Sequence, residues 1–312
     1  MNGILIEILQ VAVLVGLSPA LVGWLVTLKC WLQGRTSPGL LQPYRNLRKL
    51  FAKDVVLARN ASWIFRFSPY LIFGTAVLAG GIVPILSLDL PLALTADAIV
   101  LVMLFALARF FTALAGMDIG TAFGGMGSSR EMMVASLAEP AMLMAIFTVS
   151  LLSGSTSLIR IAEVVAGMGV SLKPSIVFAF IAFVMIVLAE NGRIPIDNPT
   201  THLELTMLHE AMVLEYSGRH LALIEWAGMM KLFLFLALGN IFFFPFGIAR
   251  STDPFAIAMA GVALVAKLLV SGSLIVLIET MLAKMRLFRV TEYLSGAFLI
   301  GTLGMLSFFI LE

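Results

Sequence analysis

Eight stretches of this chain are apolar for long enough to cross the roughly 30 Å hydrocarbon core of a bilayer. They lie near 4–28, 64–88, 93–116, 132–152, 175–190, 222–247, 255–283 and 294–311, the fifth being the shortest. Lipid offers no partner to a free N–H or C=O, so each run is expected to be a helix that bonds its own backbone. Only 12% of the 312 residues are charged and 61% are hydrophobic, whereas a soluble domain carries roughly 25% charge. The expected class is therefore an all-α polytopic membrane protein of about eight transmembrane helices, with 1–312 as a single membrane domain. The first run holds Glu7 and lacks a basic leader and a small-residue cleavage site, so it reads as a retained helix.

Basic residues set the expected orientation. Fourteen Lys and Arg fall in loops on one side, eight of them after the first span. The opposite loops hold three, Arg160, Lys173 and Arg250. The richer side is expected to be cytoplasmic, with loops near 29–63, 117–131, 191–221 and 284–293 and both termini outside an inner membrane. Its two longest segments, 29–63 and 191–221, offer a soluble partner a place to dock. No internal repeat is apparent, which disfavours a transporter built from inverted halves. The single cysteine, Cys30, supplies no thiolate set for an iron–sulfur cluster or zinc, so electron transfer is expected in another subunit.

Ionisable groups within spans cost a few kcal/mol each unless paired or hydrated. Arg109, Glu139, Glu190, Lys231, Lys267 and Glu279 fall there, with Asp118, Arg130 and Glu131 just outside. Such a set reads either as a hydrated ion path or as helix-to-helix glue. Lys267 and Glu279 share one helix, twelve residues apart, which is about 18 Å along its axis and too far for a direct pair.

The segment from Glu190 to Gly218 is the richest in chemistry. Pro195 and Pro199 interrupt any helix leaving the membrane, and Asn198-Pro199 suits the start of a new one that Gly218 would stop. Glu190, Asp197, Glu204, Glu210 and Glu215 bring carboxylates together, and mutual repulsion raises carboxylate pKa values. His202 and His209 stand two turns apart, so a straight helix does not offer both to one metal, and no metal site is expected.

Four blocks in order resemble a known family. They are Arg35-Thr-Ser-Pro-Gly-Leu-Leu-Gln-Pro-Tyr-Arg45 with Lys49-Leu50; Arg109-Phe-Phe with Gly116-Met-Asp118; Gly127-Ser-Ser-Arg-Glu131 with Glu139-Pro140; and Glu190…Arg193-Ile-Pro-Ile-Asp197…Glu204-Leu205…Glu215-Tyr216-Ser-Gly218. The pattern is similar to the membrane subunit that joins the two arms of respiratory complex I (subunit 1) and to its counterpart in formate hydrogenlyase and energy-converting nickel–iron hydrogenases, and it sits nearer the hydrogenase branch. Two acidic positions of the complex I line are here Thr200 and His202, and a first-loop arginine is Thr36, which points away from quinone binding.

The resemblance implies a non-catalytic subunit of an oxidoreductase complex. It would anchor a small iron–sulfur subunit and a large hydrogenase-like subunit, whose clusters and nickel–iron centre lie outside this chain. It would pass the effect of electron transfer to antiporter-like membrane subunits that move protons or sodium; nucleic acid has no part. The implied coupling line is Asp118, Arg130, Glu131, Glu139, Glu190, Asp197, Glu204 and Glu215, with Lys231, Lys267 and Glu279 as inner members. Arg35, Arg45, Lys49, His202, His209 and Tyr216 would face the docked arm. The alternatives are a quinone-site subunit of a complex I-like oxidoreductase and a free-standing ion transporter.

Overall fold

The computed structural model describes residues 3–88, 91, 96–168, 173–197, 209–250, 253–283, 285 and 287–311. Among these the secondary structure is helical: α1 Gly3–Leu32, α2 Gln42–Phe51, α3 Trp63–Ile82, α4 Ala98–Asp118, α5 Ala122–Ser153, α6 Leu158–Met168, α7 Pro174–Glu190, α8 His209–Val213, α9 Gly218–Phe243, α10 Pro254–Met281 and α11 Leu287–Leu311. Seven of these are long and apolar enough to span a membrane. The shorter α7, 17 residues, is also apolar and about 26 Å long. All eight expected spans are therefore helices.

Boundaries follow local chemistry. Ser62, Asp97 and Thr121 cap α3, α4 and α5, each side chain accepting a first-turn N–H. The fourth span starts ten residues earlier than its apolar run, because Gly124–Glu131 is polar yet helical. Two short helices, α2 and α6, have no counterpart among the apolar runs, and α8 lies within the helix expected between Pro199 and Gly218. In α2, Leu47 is buried while Arg45, Arg48 and Lys49 stay exposed, so a ten-residue helix lies with one apolar side against the bundle. Gly218, expected to stop a helix, instead opens α9: it has φ +55°, and a Cβ there would meet the Asp54 carbonyl at 2.6 Å. Helix α8 ends at Val213. The expected start at Asn198-Pro199 lies outside the described residues.

Helix α5 packs against α4, α7 and α11, and α9 packs against α1 and α3. The core between them is close packed, with Phe65, Phe233, Phe235 and Phe242 wholly enclosed. Outward stripes are apolar, as on α10 with Phe255, Met259, Val262, Val270 and Leu274, which suits contact with lipid or neighbouring helices.

On the face away from the basic loops, the fully buried Gln10 ties α1 to the end of α3. Its amide N donates to the Gly80 and Val83 carbonyls (2.8 and 2.7 Å), and its O accepts from the Ile85 and Leu86 N–H groups (3.1 and 3.3 Å). Gln10→Leu would leave these backbone groups unpaired in an apolar setting. A loss of about 2–4 kcal/mol is expected, read as a lower melting temperature of the detergent-purified protein. An unchanged melting temperature would show that water or the loop itself replaces the amide.

Candidate functional site: a buried charge cluster and its cavity

The inward stripe of α4 runs Leu101, Phe105, Arg109, Thr112 and Gly116, so the spacing that buries the helix also buries an arginine. Three carboxylates meet it. Glu190, the last residue of α7, pairs with one guanidinium nitrogen; Glu139 on α5 lies 3.2 Å from a second and Glu131 3.6 Å from the third. From α9, the Lys231 ammonium sits 3.0 Å from the Glu190 carboxylate and donates to the Glu190 carbonyl at 2.8 Å. Arg109 is 6% exposed and Glu190 4%, whereas Glu139 is 37% exposed. The cluster carries one carboxylate more than it has cations.

A second cluster closes the basic-loop end. The Glu279 carboxylate, 2% exposed on α10, takes Arg193 on one oxygen (2.7 Å) and Lys29 of α1 on the other (3.2 Å). Here cations outnumber carboxylates by one.

Between these groups lies a cavity of about 630 Å³, lined by Glu131, Glu190, Arg193, His209, Glu210, Lys231 and apolar residues of α1 and α9. A smaller chamber of about 60 Å³ beside it reaches Arg109, Thr75 and Thr112 and shares Glu131, His209 and Lys231. His209, at the start of α8, is exposed and borders both spaces. The protein around it lowers its proton affinity, Glu131 raises it and Lys231 lowers it further. Toward the opposite face the packing is apolar: Phe105 stacks on Phe235 at 4.8 Å, and Ile146, Ile186, Leu234 and Leu238 are buried.

The expected line is thus divided. Glu131, Glu139, Glu190 and Lys231 meet in one cluster and Glu279 in the other. Asp118 accepts from the Ser62 N–H (2.8 Å) and joins α4 to α3. Arg130 is half-buried beside Glu131 in the chain, Asp197 is buried at the end of the 191–197 loop, and Glu215 is exposed. Lys267 stands apart from both clusters and donates to the Phe244 carbonyl at 2.7 Å and to that of Phe246, closing the end of α9. Glu204 and His202 lie outside the described residues. Arg35, Arg45 and Lys49 are exposed on the basic-loop face, and His209 lines the cavity. Tyr216 is buried, stacked on Phe65 at 3.9 Å with its hydroxyl donating to the Phe65 carbonyl at 2.9 Å; burial and Asp118 both raise its pKa.

Three participants were not assigned from sequence. Arg109, flagged only as a costly charge, is the centre of the first cluster. Its signal was an arginine on the apolar stripe of a span. Lys29 and Arg193 read in sequence as loop cations, and nothing local marks them as partners of a carboxylate 250 and 86 residues away.

A helical bundle that encloses two linked charge clusters defines a polytopic membrane protein with ion chemistry inside it. The family model for NADH dehydrogenase matches residues 5–310, and the chain belongs to that family, the complex I subunit 1 type. It is 31% identical to formate hydrogenlyase subunit 4 of Escherichia coli (strain K12), over 91% of this chain and 92% of that one. To hydrogenase-4 component C of the same organism it is 30% identical, over 91% and 89%. Its fold matches a chain of the membrane-bound sulfane sulfur reductase, an archaeal respiratory membrane complex, with TM-score 0.85 and 19% identity over 98% of this chain and 99% of that one. The chain sits with the hydrogenase-related branch of its family and is a membrane subunit of an energy-converting complex.

Proposed function

We propose that this chain holds a soluble redox arm, with its iron–sulfur and nickel–iron subunits, on the basic-loop face and relays charge changes there to ion-pumping membrane neighbours. The observation that carries the reading is Glu139. Its carboxylate belongs to a cluster whose arginine is nearly inaccessible, yet it is itself 37% exposed. A carboxylate left against lipid is costly, so a polar group of a neighbouring subunit meets it. The excess carboxylate makes the cluster a place where one proton changes the whole balance. Electron arrival above the cavity shifts the local potential at Glu131, Glu190 and His209, and the fixed charge of Arg109 carries that shift to the proton equilibrium of Glu139. The excess of basic residues in these loops supports a cytoplasmic position for this face, with both termini outside an inner membrane.

The test uses the assembled complex in sealed inverted membrane vesicles, following redox turnover together with a pH-sensitive dye and sodium uptake. Glu139→Gln is expected to keep turnover within about twofold while ion movement per turnover falls about tenfold. Wild-type ion movement in this variant, and in Glu204→Gln, would remove both residues from the path.

The cavity supports a second reading, a quinone-site subunit, because its volume suits a small amphiphile and Leu221, Ile224 and Met229 line it. Inhibition by quinone analogues would favour that reading.

A further inference from the structure

The turn that ends α7 carries one member of each charge cluster. Gly192 has φ +55°, its N–H donates to the Ala189 carbonyl at 3.1 Å, and the Arg193 N–H donates to the Leu188 carbonyl at 2.9 Å. This double closure is the left-handed glycine ending of a helix, and it fixes residue 193 relative to residue 190. Glu190 leaves the turn toward Arg109 and Lys231; Arg193 leaves it toward Glu279 and Lys29. The segment that follows is tied to the same neighbour, since the Met285 N–H, just beyond α10, donates to the Pro195 carbonyl at 2.9 Å.

We propose that Glu279 is a positioning residue. By holding Arg193 at one end of this turn, it sets where Glu190 sits between Arg109 and Lys231 at the other. The Lys29–Glu279–Arg193 bridge is then a lever between the ends of α1 and α10 and the buried cluster, and this role rests on the coupling reading above. Three observations support it. The Glu279 carboxylate is 2% exposed and takes a separate cation on each oxygen, so Arg193 and Lys29 are both held to one buried anion. The two clusters carry opposite excess charge and are joined by one turn, with only Asn191 and Gly192 between Glu190 and Arg193. Arg193 also lines the cavity, where Glu210 and Glu225 are alternative partners for a guanidinium freed from Glu279. Breaking the bridge would let Arg193 turn inward and let the end of α7 shift.

The experiment uses the assembled complex in membranes, in a Cys30→Ser background with Asn191→Cys as a reporter on the turn. Glu279→Gln is expected to speed maleimide labelling at position 191 about tenfold and to lower ion movement per turnover by a similar factor. Arg193→Met, a second route to the same break should Glu279→Gln fail to assemble, is expected to do the same. Arg193→Lys, which keeps the charge, should stay near wild type in both readouts. If the bridge-breaking variants change neither readout while Glu139→Gln uncouples, the lever is overturned and the coupling reading stands. If labelling speeds but ion movement holds while Glu139→Gln uncouples, the bridge does not reach the cluster and the lever is likewise overturned. If Glu139→Gln does not uncouple yet labelling speeds, the lever survives as a control of the turn and the coupling reading falls.

Discussion

Arg109→Met is expected to be the most damaging single change in this chain. The guanidinium is almost wholly enclosed, and each of its three nitrogens meets a carboxylate on a different residue: Glu131 and Glu139 of α5 and Glu190 of α7. Without it, Lys231 is the cation left among the described members of the cluster, and it pairs with Glu190. Removing one partner of a buried ion pair costs about 3–5 kcal/mol, because the other is left charged without compensation. That is a large share of the roughly 5–15 kcal/mol that holds a domain together. The detergent-purified complex should therefore lose much of its thermal stability or lose this subunit. Arg109→Lys should fall between, since an ammonium keeps the charge but not the fork that serves three acids at once. Adding Glu190→Gln to Arg109→Met should restore part of the loss by removing one stranded charge. Melting curves of the four proteins decide the matter. An Arg109→Met complex as stable as wild type would mean that the cluster does not bind α4, α5 and α7 together.

Glu190→Gln by itself should behave differently. The amide keeps the shape of the side chain, Arg109 keeps Glu131 and Glu139, and Lys231 keeps the Glu190 backbone carbonyl. Assembly should survive. What disappears is the one carboxylate shared by both cations, the hinge between the cavity and the arginine. Ion movement per redox turnover in sealed vesicles is expected to fall by about a hundredfold, within the range of strong coupling between sites. Normal translocation with Gln at 190 would sink the relay through this cluster, whatever the effect on stability.

Much of the fold was legible before any coordinates. Each apolar run became a helix, and the buried stripe of α4 follows from its spacing. The misses share a cause. Hydropathy averages over a window, so it passed over α2 and α6, which are short or one-sided, and it trimmed the polar first turns of α5. Position along a helix was also a poor guide to setting. Lys231 lies thirteen residues into α9 yet meets the very end of α7, because α9 starts well outside the level at which α7 stops. Lys267, in the middle of α10, meets the carbonyls that follow α9, because that chain turns back beside it. A charge in an apolar run announces that a partner exists; it does not say which.

The sequence by itself determined the eight long apolar helices and the asymmetry of the loops, because lipid makes each backbone satisfy itself locally and charge cross a bilayer only at high cost. It also announced that charges would be buried. Only the tertiary structure decided which charges meet. Arg109 reaches residues 30 away on α5, Lys231 reaches back 41, Arg193 reaches 86 and Lys29 reaches 250. Those distances are closed by the packing of α1, α4, α5, α7, α9 and α10. Electrostatic pairing at a few ångströms depends on that packing, and no periodicity along the chain encodes it.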